Sequence, residues 1–238
     1  MGWLQWVLSL CTDKRELLDV TCFNHPVAMQ VSWAPLVRGG SNVCTHRAQI
    51  KQSLSGSQLV FKTTWAAYLF CSVFMAVGLI LLLAFLTQLM AAPGVNAGMG
   101  LLGLVPCVFF IAGCLLLGWF RRRECCFETV SGRFMQASNV HDLRDVQAIQ
   151  LIRETVRSGN SGSTYKSRYY SYELNLVLRD ATRLNVTDHG SLRVIRADAE
   201  LLAHYLSVPV WDAIDYRIPE AAMKRNLEAE GLGRNLFG

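Results

Sequence analysis

The chain has 238 residues, a net charge of +5 and 17% charged residues. The excess positive charge is divided between the two polar ends, with +3 on residues 1–62 and +2 on residues 121–238. That is too dilute for the concentrated basic face of a nucleic-acid-binding protein. The eight cysteines lack framework spacing, and the absence of a CxxC pair argues against a zinc site.

Residues 1–62 are predicted to form a β-rich arm. Apolar residues alternate along Val27–Trp33, which predicts a strand with one buried face. Further strands are predicted at Val43–Lys51 and at Leu59–Lys62. Between the first two strands, Gly39–Asn42 is expected to be a loop or, alternatively, a backbone nest for an anion.

The middle of the chain is an uncharged run, without Asp, Glu, Lys, Arg or His from Thr63 to Phe120. It contains two apolar stretches, Trp65–Met90 and Leu101–Phe120, with a turn predicted at Pro93–Gly94. As helices the stretches would be roughly 39 and 30 Å long. A bilayer core requires about 20 apolar residues. The run therefore predicts a membrane hairpin of two transmembrane helices.

Basic residues flank this hairpin: Lys62 precedes it, and Arg121, Arg122 and Arg123 follow it. Because positive residues are retained on the cytoplasmic side, both termini are predicted to be cytoplasmic. The arginines have two compatible roles, as a topology anchor and as a contact for anionic lipid. These four residues are the predicted membrane-surface contacts.

Small residues four apart are predicted to pack helices. Cys114 and Gly118 form one such pair, and Ser72 and Ala76 form a weaker one. The hairpin packing on itself would explain both pairs, and a partner helix is the alternative. The lack of ionisable residues inside the hairpin argues against a proton or ion pathway.

The C-terminal part is predicted to be an antiparallel sheet or partial barrel closed by a helix. A helix is expected from Leu192 to before Pro209, and Trp211 is expected to pack back onto the sheet. A short helix is predicted within Pro219–Glu230 and a loose tail after it. Val146–Val156 fits both helical spacing and alternation, and its neighbours favour a strand. The predicted strands are Glu124–Thr129, Arg133–Ala137, Val146–Val156, Tyr170–Leu178 and Arg183–Thr187, with turns or loops at Val130–Gly132, His141–Asp145, Ser158–Thr164, Asp180–Thr182 and Asp188–Ser191.

This order of elements, with strands, a long hairpin and one closing helix, resembles the bacterial pleckstrin-homology-like membrane proteins over about Arg121–Asp212. The chain also resembles an uncharacterised family of bacterial inner-membrane proteins. The residues that carry the second resemblance are Ser171–Leu178, Arg183, Asn185, Asp188–Gly190, Asp198–Ala199 and Pro209–Trp211, with Trp33, Pro35, Gly39–Gly40, Asn42 and Thr45–His46 in the arm. The resemblance implies a sheet-plus-helix scaffold in the bacterial inner membrane, and it implies no known activity.

Candidate chemistry is sparse. His141–Asp142 and Asp188–His189 could form a base with an orienting carboxylate if the two pairs met, whereas turn and capping roles are the alternative. Gly98–Gly103 has the spacing of a dinucleotide fingerprint without the strand–turn–helix context that the fingerprint needs. No catalytic, cofactor or metal site is therefore predicted.

Four regions follow from these observations: a cytoplasmic β-rich arm (1–62), the hairpin (63–120), a cytoplasmic pleckstrin-homology-like domain (121–212) and a C-terminal tail (213–238). We expect a non-enzymatic accessory, assembly or scaffold protein that presents a β-domain to other proteins. Its expected partners are membrane lipid and other membrane subunits or itself, without nucleic acid. Alternatives are a sensor of lipid or a small ligand and a membrane-bound hydrolase or transferase.

Overall fold

The computed structural model describes residues 15–53, 56–91, 97–158 and 167–223. They belong to two compact units. The hairpin unit comprises Thr45–His141, and the terminal unit comprises Met1–Cys44 together with Asp142–Gly238. The predicted regions 1–62 and 121–212 are thus each divided between the two units.

A five-stranded sheet forms the base of the hairpin unit, in the order β1-β2-β3-β4-β5. Strand pairs β1–β2, β2–β3 and β3–β4 are antiparallel. The strands that precede and follow the uncharged run are neighbours, since Phe61 on β2 pairs with Cys125 on β3. The strands are β1 (His46–Ser53), β2 (Gly56–Thr63), β3 (Cys125–Glu128), β4 (Arg133–Gln136) and β5 (Asn139–Asp142).

Aromatic side chains fill the inner face of this sheet. Phe61, Phe127 and Phe134 are fully buried. The rings of Phe61 and Phe127 meet edge-on at 6.0 Å, and those of Phe127 and Phe134 stack at 4.5 Å. Burying each ring stabilises the unit by about 1.5–3 kcal/mol. The predicted strands on both sides of the uncharged run are confirmed, except that β5 occupies part of a predicted turn.

Two long helices are inserted between β2 and β3: α1 (Trp65–Ala91) and α2 (Ala97–Arg122). Their 27 and 26 residues correspond to about 40 Å of helix each. Both are long and apolar enough to cross a membrane. In the most apolar stretch of 18 residues in each helix, only 11% of α1 and 17% of α2 is buried. The two long apolar helices of the prediction are confirmed.

The helices contact each other along a line of small residues. Ala67, Cys71 and Gly78 are the buried residues of α1. A Cβ atom at Gly78 would lie 2.7 Å from the Phe110 amide nitrogen and 2.8 Å from the Pro106 carbonyl oxygen. The two backbones therefore approach more closely here than any side chain would permit.

The terminal unit contains a four-stranded sheet in the order β8-β7-β6-β9. Its antiparallel strands are β6 (Val146–Ser158), β7 (Ser167–Leu178) and β8 (Arg183–His189), and β9 (Val210–Asp212) is parallel to β6. Helix α3 (Leu192–Leu206) buries Ile195, Ala199 and Leu202. The predicted antiparallel strands and the closing helix are confirmed, as is the return of Trp211, which is 1% exposed.

Two local predictions are wrong. Val27–Trp33 is not a strand: Pro26–Met29 is a 3₁₀ helix whose first amides are capped by His25, with Nδ1 accepting from the Val27 amide at 3.3 Å. Proline at the first helical position favours this start. Asp188 and His189 belong to the end of β8 and not to a loop, because Tyr172 and Glu173 of β7 pair with them.

Several predicted segments lie outside the described residues. These are the Pro93–Gly94 turn, most of the Ser158–Thr164 loop and residues 224–238 of the predicted tail. The described part of that tail is not loose, since Ala213, Ile214 and Ala222 are buried. The helix predicted within Pro219–Glu230 is described only over α4 (Glu220–Met223).

Candidate functional site

The base of the hairpin is held together by hydrogen bonds that join side chains to the backbone of the strands and helix ends. The Thr63 amide donates to Glu124 Oε1 at 3.1 Å. The His46 ring nitrogen Nε2 lies 2.9 Å from the carbonyl oxygen of Phe120, and because a carbonyl only accepts, Nε2 carries the proton. Nδ1 then accepts from the Thr45 hydroxyl at 2.9 Å. The ends of β1, β2 and α2 are thereby fixed to one another.

The four predicted membrane-surface residues, Lys62 and Arg121–Arg123, lie at this junction. Arg121 forms a side-chain hydrogen bond with Tyr68, and the Arg123 guanidinium lies over the Trp119 ring, 4.0 Å from its centre. Trp65 is 77% exposed and Trp119 48% exposed. Cations and exposed aromatic rings therefore occupy the same end of the hairpin.

A fifth cation, Arg47, was missed from the sequence. It lies directly opposite Lys62 in the β1–β2 register, so the two side chains project from the same face of the sheet. Like charges in directly opposed positions are destabilising. The sequence contained the signal for this pair. The antiparallel register of β1 and β2 places Arg47 beside Lys62, at the end of the sheet next to the helices.

The four predicted helix-packing residues do not lie in the contact between α1 and α2. Cys114, Gly118, Ser72 and Ala76 are all exposed, and a Cβ atom at Gly118 would meet nothing within 4 Å. Contact within the hairpin is made by other small residues instead. The role of these four in packing against a further helix stays a prediction.

The predicted polar pairs each have local structural partners. Asp142 caps a 3₁₀ helix (Leu143–Asp145) by accepting from the Arg144 amide at 2.9 Å. The hydrogen bonds from Arg144 lower the pKa of Asp142 to about 2. His141 stacks on Phe134 at 5.9 Å, and burial lowers its pKa. A carboxylate held so firmly by an arginine is a weak base.

Asp188 and His189 are also engaged by the backbone. Asp188 Oδ2 accepts from the Ser41 amide at 2.6 Å, and His189 Nδ1 accepts from the Ser191 amide at 3.2 Å. The shared acid–base site of the two predicted pairs stays a hypothesis. No group of three or more His, Cys, Asp or Glu residues that could hold a metal ion is found within the described ranges.

A polar face on the sheet of the terminal unit was not foreseen. Adjacent strands place their polar residues on one side, and the segment Ser32–Asn42, here called the strap, is hydrogen-bonded to them. Glu173 accepts from the Leu36 amide with both oxygens, at 3.0 and 2.9 Å, and from the Val37 amide at 3.1 Å. The strap therefore covers a face that the alternation of β7 assigns to solvent. The residues of this face are Gln150 and Glu154 on β6, Ser171, Glu173 and Asn175 on β7, and Arg183, Asn185 and Asp188 on β8.

The glycine loop of the strap does bind anionic groups, and they belong to the chain itself. The amides of Gly39 and Gly40 donate to Glu154 at 3.0–3.2 Å. The next amide, Ser41, donates to Asp188. The nest that the sequence offers as an alternative for an external anion is therefore occupied by internal carboxylates.

Arg183 connects the strap to the interior of the polar face. It is 5% exposed and donates to the Ala34 carbonyl at 2.6 Å and to Gln150 Oε1 at 3.1 Å. Gln150 in turn donates to the Ser32 carbonyl at 3.1 Å. Burial raises the pKa of Glu173 to about 7, although Arg183 and the strap amides act in the opposite direction.

Comparison with known proteins adds no family or activity: no family model and no curated protein matches the chain.

Proposed function

We propose that this chain is a non-enzymatic membrane protein whose two helices anchor a β-rich scaffold that binds other proteins. The observation that carries the proposal is the exposure of α1 and α2. Apart from Arg121 and Arg122 at the end of α2, both helices are uncharged and apolar, and most of their described side chains are exposed. The apolar residues of α1 are distributed around its whole circumference, as in a helix surrounded by lipid.

The alternative of a soluble protein is disfavoured by the size of this apolar surface. Large side chains exposed by more than half include Ile80, Leu83, Val108 and Leu115. Monomeric soluble proteins rarely expose contiguous apolar patches of more than a few hundred Å². Two helices of about 40 Å would span a bilayer core of about 30 Å with some tilt.

The proposed orientation follows from charge. The cations lie at one end of the hairpin, next to the sheet, and none lies between Thr63 and Phe120. By the positive-inside rule this end is cytoplasmic. A bacterial inner membrane with both termini in the cytoplasm is therefore the proposed location.

The binding role is supported by the way the polar groups are used. The carboxylates of the terminal unit hold the strap, and Asp142 holds Arg144. In contrast, the hairpin unit offers surfaces for partners: the outer strand β1 exposes Ile50 by 54%, and β5 exposes Val140 by 58%. Open sheet edges can add a strand from a partner. The exposed small residues of α1 and α2 offer a second surface.

Membrane insertion can be tested with the full chain carrying a tag at each end. After alkaline carbonate extraction, we expect the chain to remain in the membrane pellet. Protease added outside intact cells should remove neither tag. Leu79→Arg places a charge at the centre of α1 at a cost of about 3 kcal/mol and should release the chain, whereas Thr64→Arg at the edge should not. Release of the unmodified chain would overturn the proposal.

The scaffold role is tested by purification in a mild detergent with size determination and mass spectrometry. We expect a complex of fixed stoichiometry that Gly118→Leu and Ala76→Leu disrupt. Val108→Leu, at an exposed position of α2, is the matched control. A monomer that turns over a substrate would favour the hydrolase or transferase hypothesis instead.

A sensor of lipid is the second candidate function. It is favoured by one observation, the concentration of cations and aromatic rings at the hairpin base.

A further inference from the structure

Five cations converge where the sheet of the hairpin unit meets its helices. Arg121 and Arg122 end α2 and Arg123 follows it, while Arg47 and Lys62 form the β1–β2 pair next to the terminal pair His46–Thr63. We call these five residues the basic collar. Two hydrogen bonds fix this convergence: one joins His46 to Phe120, and the other joins Thr63 to Glu124. Every cation of the collar lies within three residues of one of these four residues.

The charge of the collar is poorly balanced within these segments. Residues 45–51, 61–68 and 119–124 contain one acidic residue, Glu124. One oxygen of that carboxylate accepts from the Thr63 amide, although its charge still acts on Arg121. The excess of basic over acidic residues in these segments attracts anionic groups.

The aromatic residues fix the depth at which such a partner would meet the collar. Trp119 carries the Arg123 guanidinium on its ring, and Tyr68 holds Arg121. Tryptophan and tyrosine prefer the headgroup level of a bilayer. Two of the guanidinium groups are thus held at the level where phosphates lie, and their planar geometry suits bidentate contacts with phosphate.

We propose that the basic collar binds the phosphate groups of anionic phospholipids and selects them over zwitterionic ones. The inference rests on the proposed insertion of the hairpin, which places acyl chains beside α1 and α2. Continuity with these apolar helices favours a lipid over free phosphate, since the lipid alone satisfies both the cations and the adjoining apolar surface.

The test uses the full chain in nanodiscs of equal parts phosphatidylglycerol and phosphatidylcholine, with bromine on the acyl chains of one lipid at a time. Quenching of the exposed Trp65 and Trp119 then reports which lipid surrounds the collar. We expect phosphatidylglycerol to be enriched at least about fivefold, the effect of a single cation near an anionic surface.

Paired variants assign the effect to the collar. Arg122→Gln with Arg123→Gln should lower the enrichment by about 25-fold, on the basis of about fivefold per cation, or to parity if the starting enrichment is smaller than that. Arg122→Lys with Arg123→Lys should retain most of it. The matched control is Arg144→Gln with Arg179→Gln, which removes the same charge from exposed positions outside the collar and should leave the enrichment unchanged.

The results separate the two proposals. A chain that inserts but shows equal quenching by both lipids overturns the lipid selectivity alone. A chain that does not enter nanodiscs contradicts the proposed function. Loss of the enrichment in inorganic phosphate, but not in chloride of equal ionic strength, would show a free-phosphate site and overturn the assignment to lipid.

Discussion

Replacing Glu173 by glutamine should remove a pH dependence from the stability of the terminal unit. Glu173 has a pKa of about 7 in the folded chain against an ordinary 4.5. A carboxyl group with a raised pKa contributes stability that is complete below about pH 4.5 and is lost as the pH rises through about 7. The difference corresponds to about 3 kcal/mol between the protonation states.

The contacts of Glu173 that change are those with the strap amides and with Asn185 Nδ2 on β8. Both oxygens of Glu173 accept from strap amides, and at 3% exposure water is nearly excluded from the carboxylate. In Glu173→Gln, Oε1 can still accept from the Leu36 and Val37 amides, but the donor Nε2 replaces the oxygen that accepts from the Leu36 amide at 2.9 Å, so a loss of about 1–3 kcal/mol is expected at low pH. The deficit relative to the original chain should disappear as the pH approaches 8.

The measurement is a denaturant titration at several pH values, followed by the fluorescence of Trp33, which is part of the strap, and of Trp211, whose ring lies 6.2 Å from it; both are buried. The quantity of interest is the difference in unfolding free energy between Glu173→Gln and the original chain, because the remaining titrating groups cancel in it. Glu154→Gln is the matched control, since it also removes a strap contact but retains Glu173 and its pH dependence. A difference that stays constant from about pH 5 to 8 would refute the reasoning.

Three further substitutions test individual contacts. Gly78→Val should destabilise the hairpin by about 1–3 kcal/mol, seen as a lower melting temperature in detergent, whereas Gly118→Val should have no effect because its Cβ position is open. Ser207→Gly should raise the unfolding free energy by about 0.5–1 kcal/mol, because Ser207 ends α3 with a φ of 56° that glycine adopts without strain. In Gly190→Ala the new methyl would lie 2.6 Å from the Asn42 carbonyl oxygen, so faster hydrogen exchange is expected in the strap; unchanged exchange would contradict the close contact.

Sequence reasoning succeeded where one physical signal dominated. The hairpin was predictable because an uncharged run as long as Thr63–Phe120 is rare outside membrane-spanning segments. The strands β6, β7 and β8 were predictable because their apolar residues alternate. Even the ambiguous segment from Val146 was resolved correctly by its neighbours.

The strap could not be foreseen, because alternation identifies two faces without showing what covers each. Glu173 and Asn175 project from the face opposite Leu174 and Leu176, and polar residues in such positions usually meet solvent. Here Glu173 meets the backbone of a segment more than 130 residues away in sequence.

Of the two alternatives for the small-residue pairs, packing against a further helix stays a prediction, and the contact within the hairpin involves a different side of α2. Cys114 and Gly118 have the spacing of a packing motif, but spacing does not determine which side of a helix meets its neighbour. The side that meets α1 includes Pro106, Gly113 and Phe120, seven residues apart in the sequence as in a coiled-coil seam.

The placement of the hairpin between β2 and β3 has a practical consequence. These strands are antiparallel neighbours, with Gln58 opposite Glu128 and Phe61 opposite Cys125. In topological terms, residues 64–123 are an enlarged connection of an ordinary β-hairpin. A connection of about two to five residues would close the same pair of strands, so we expect a chain in which such a turn replaces the helices to keep the β2–β3 register, which hydrogen exchange of these strands would check.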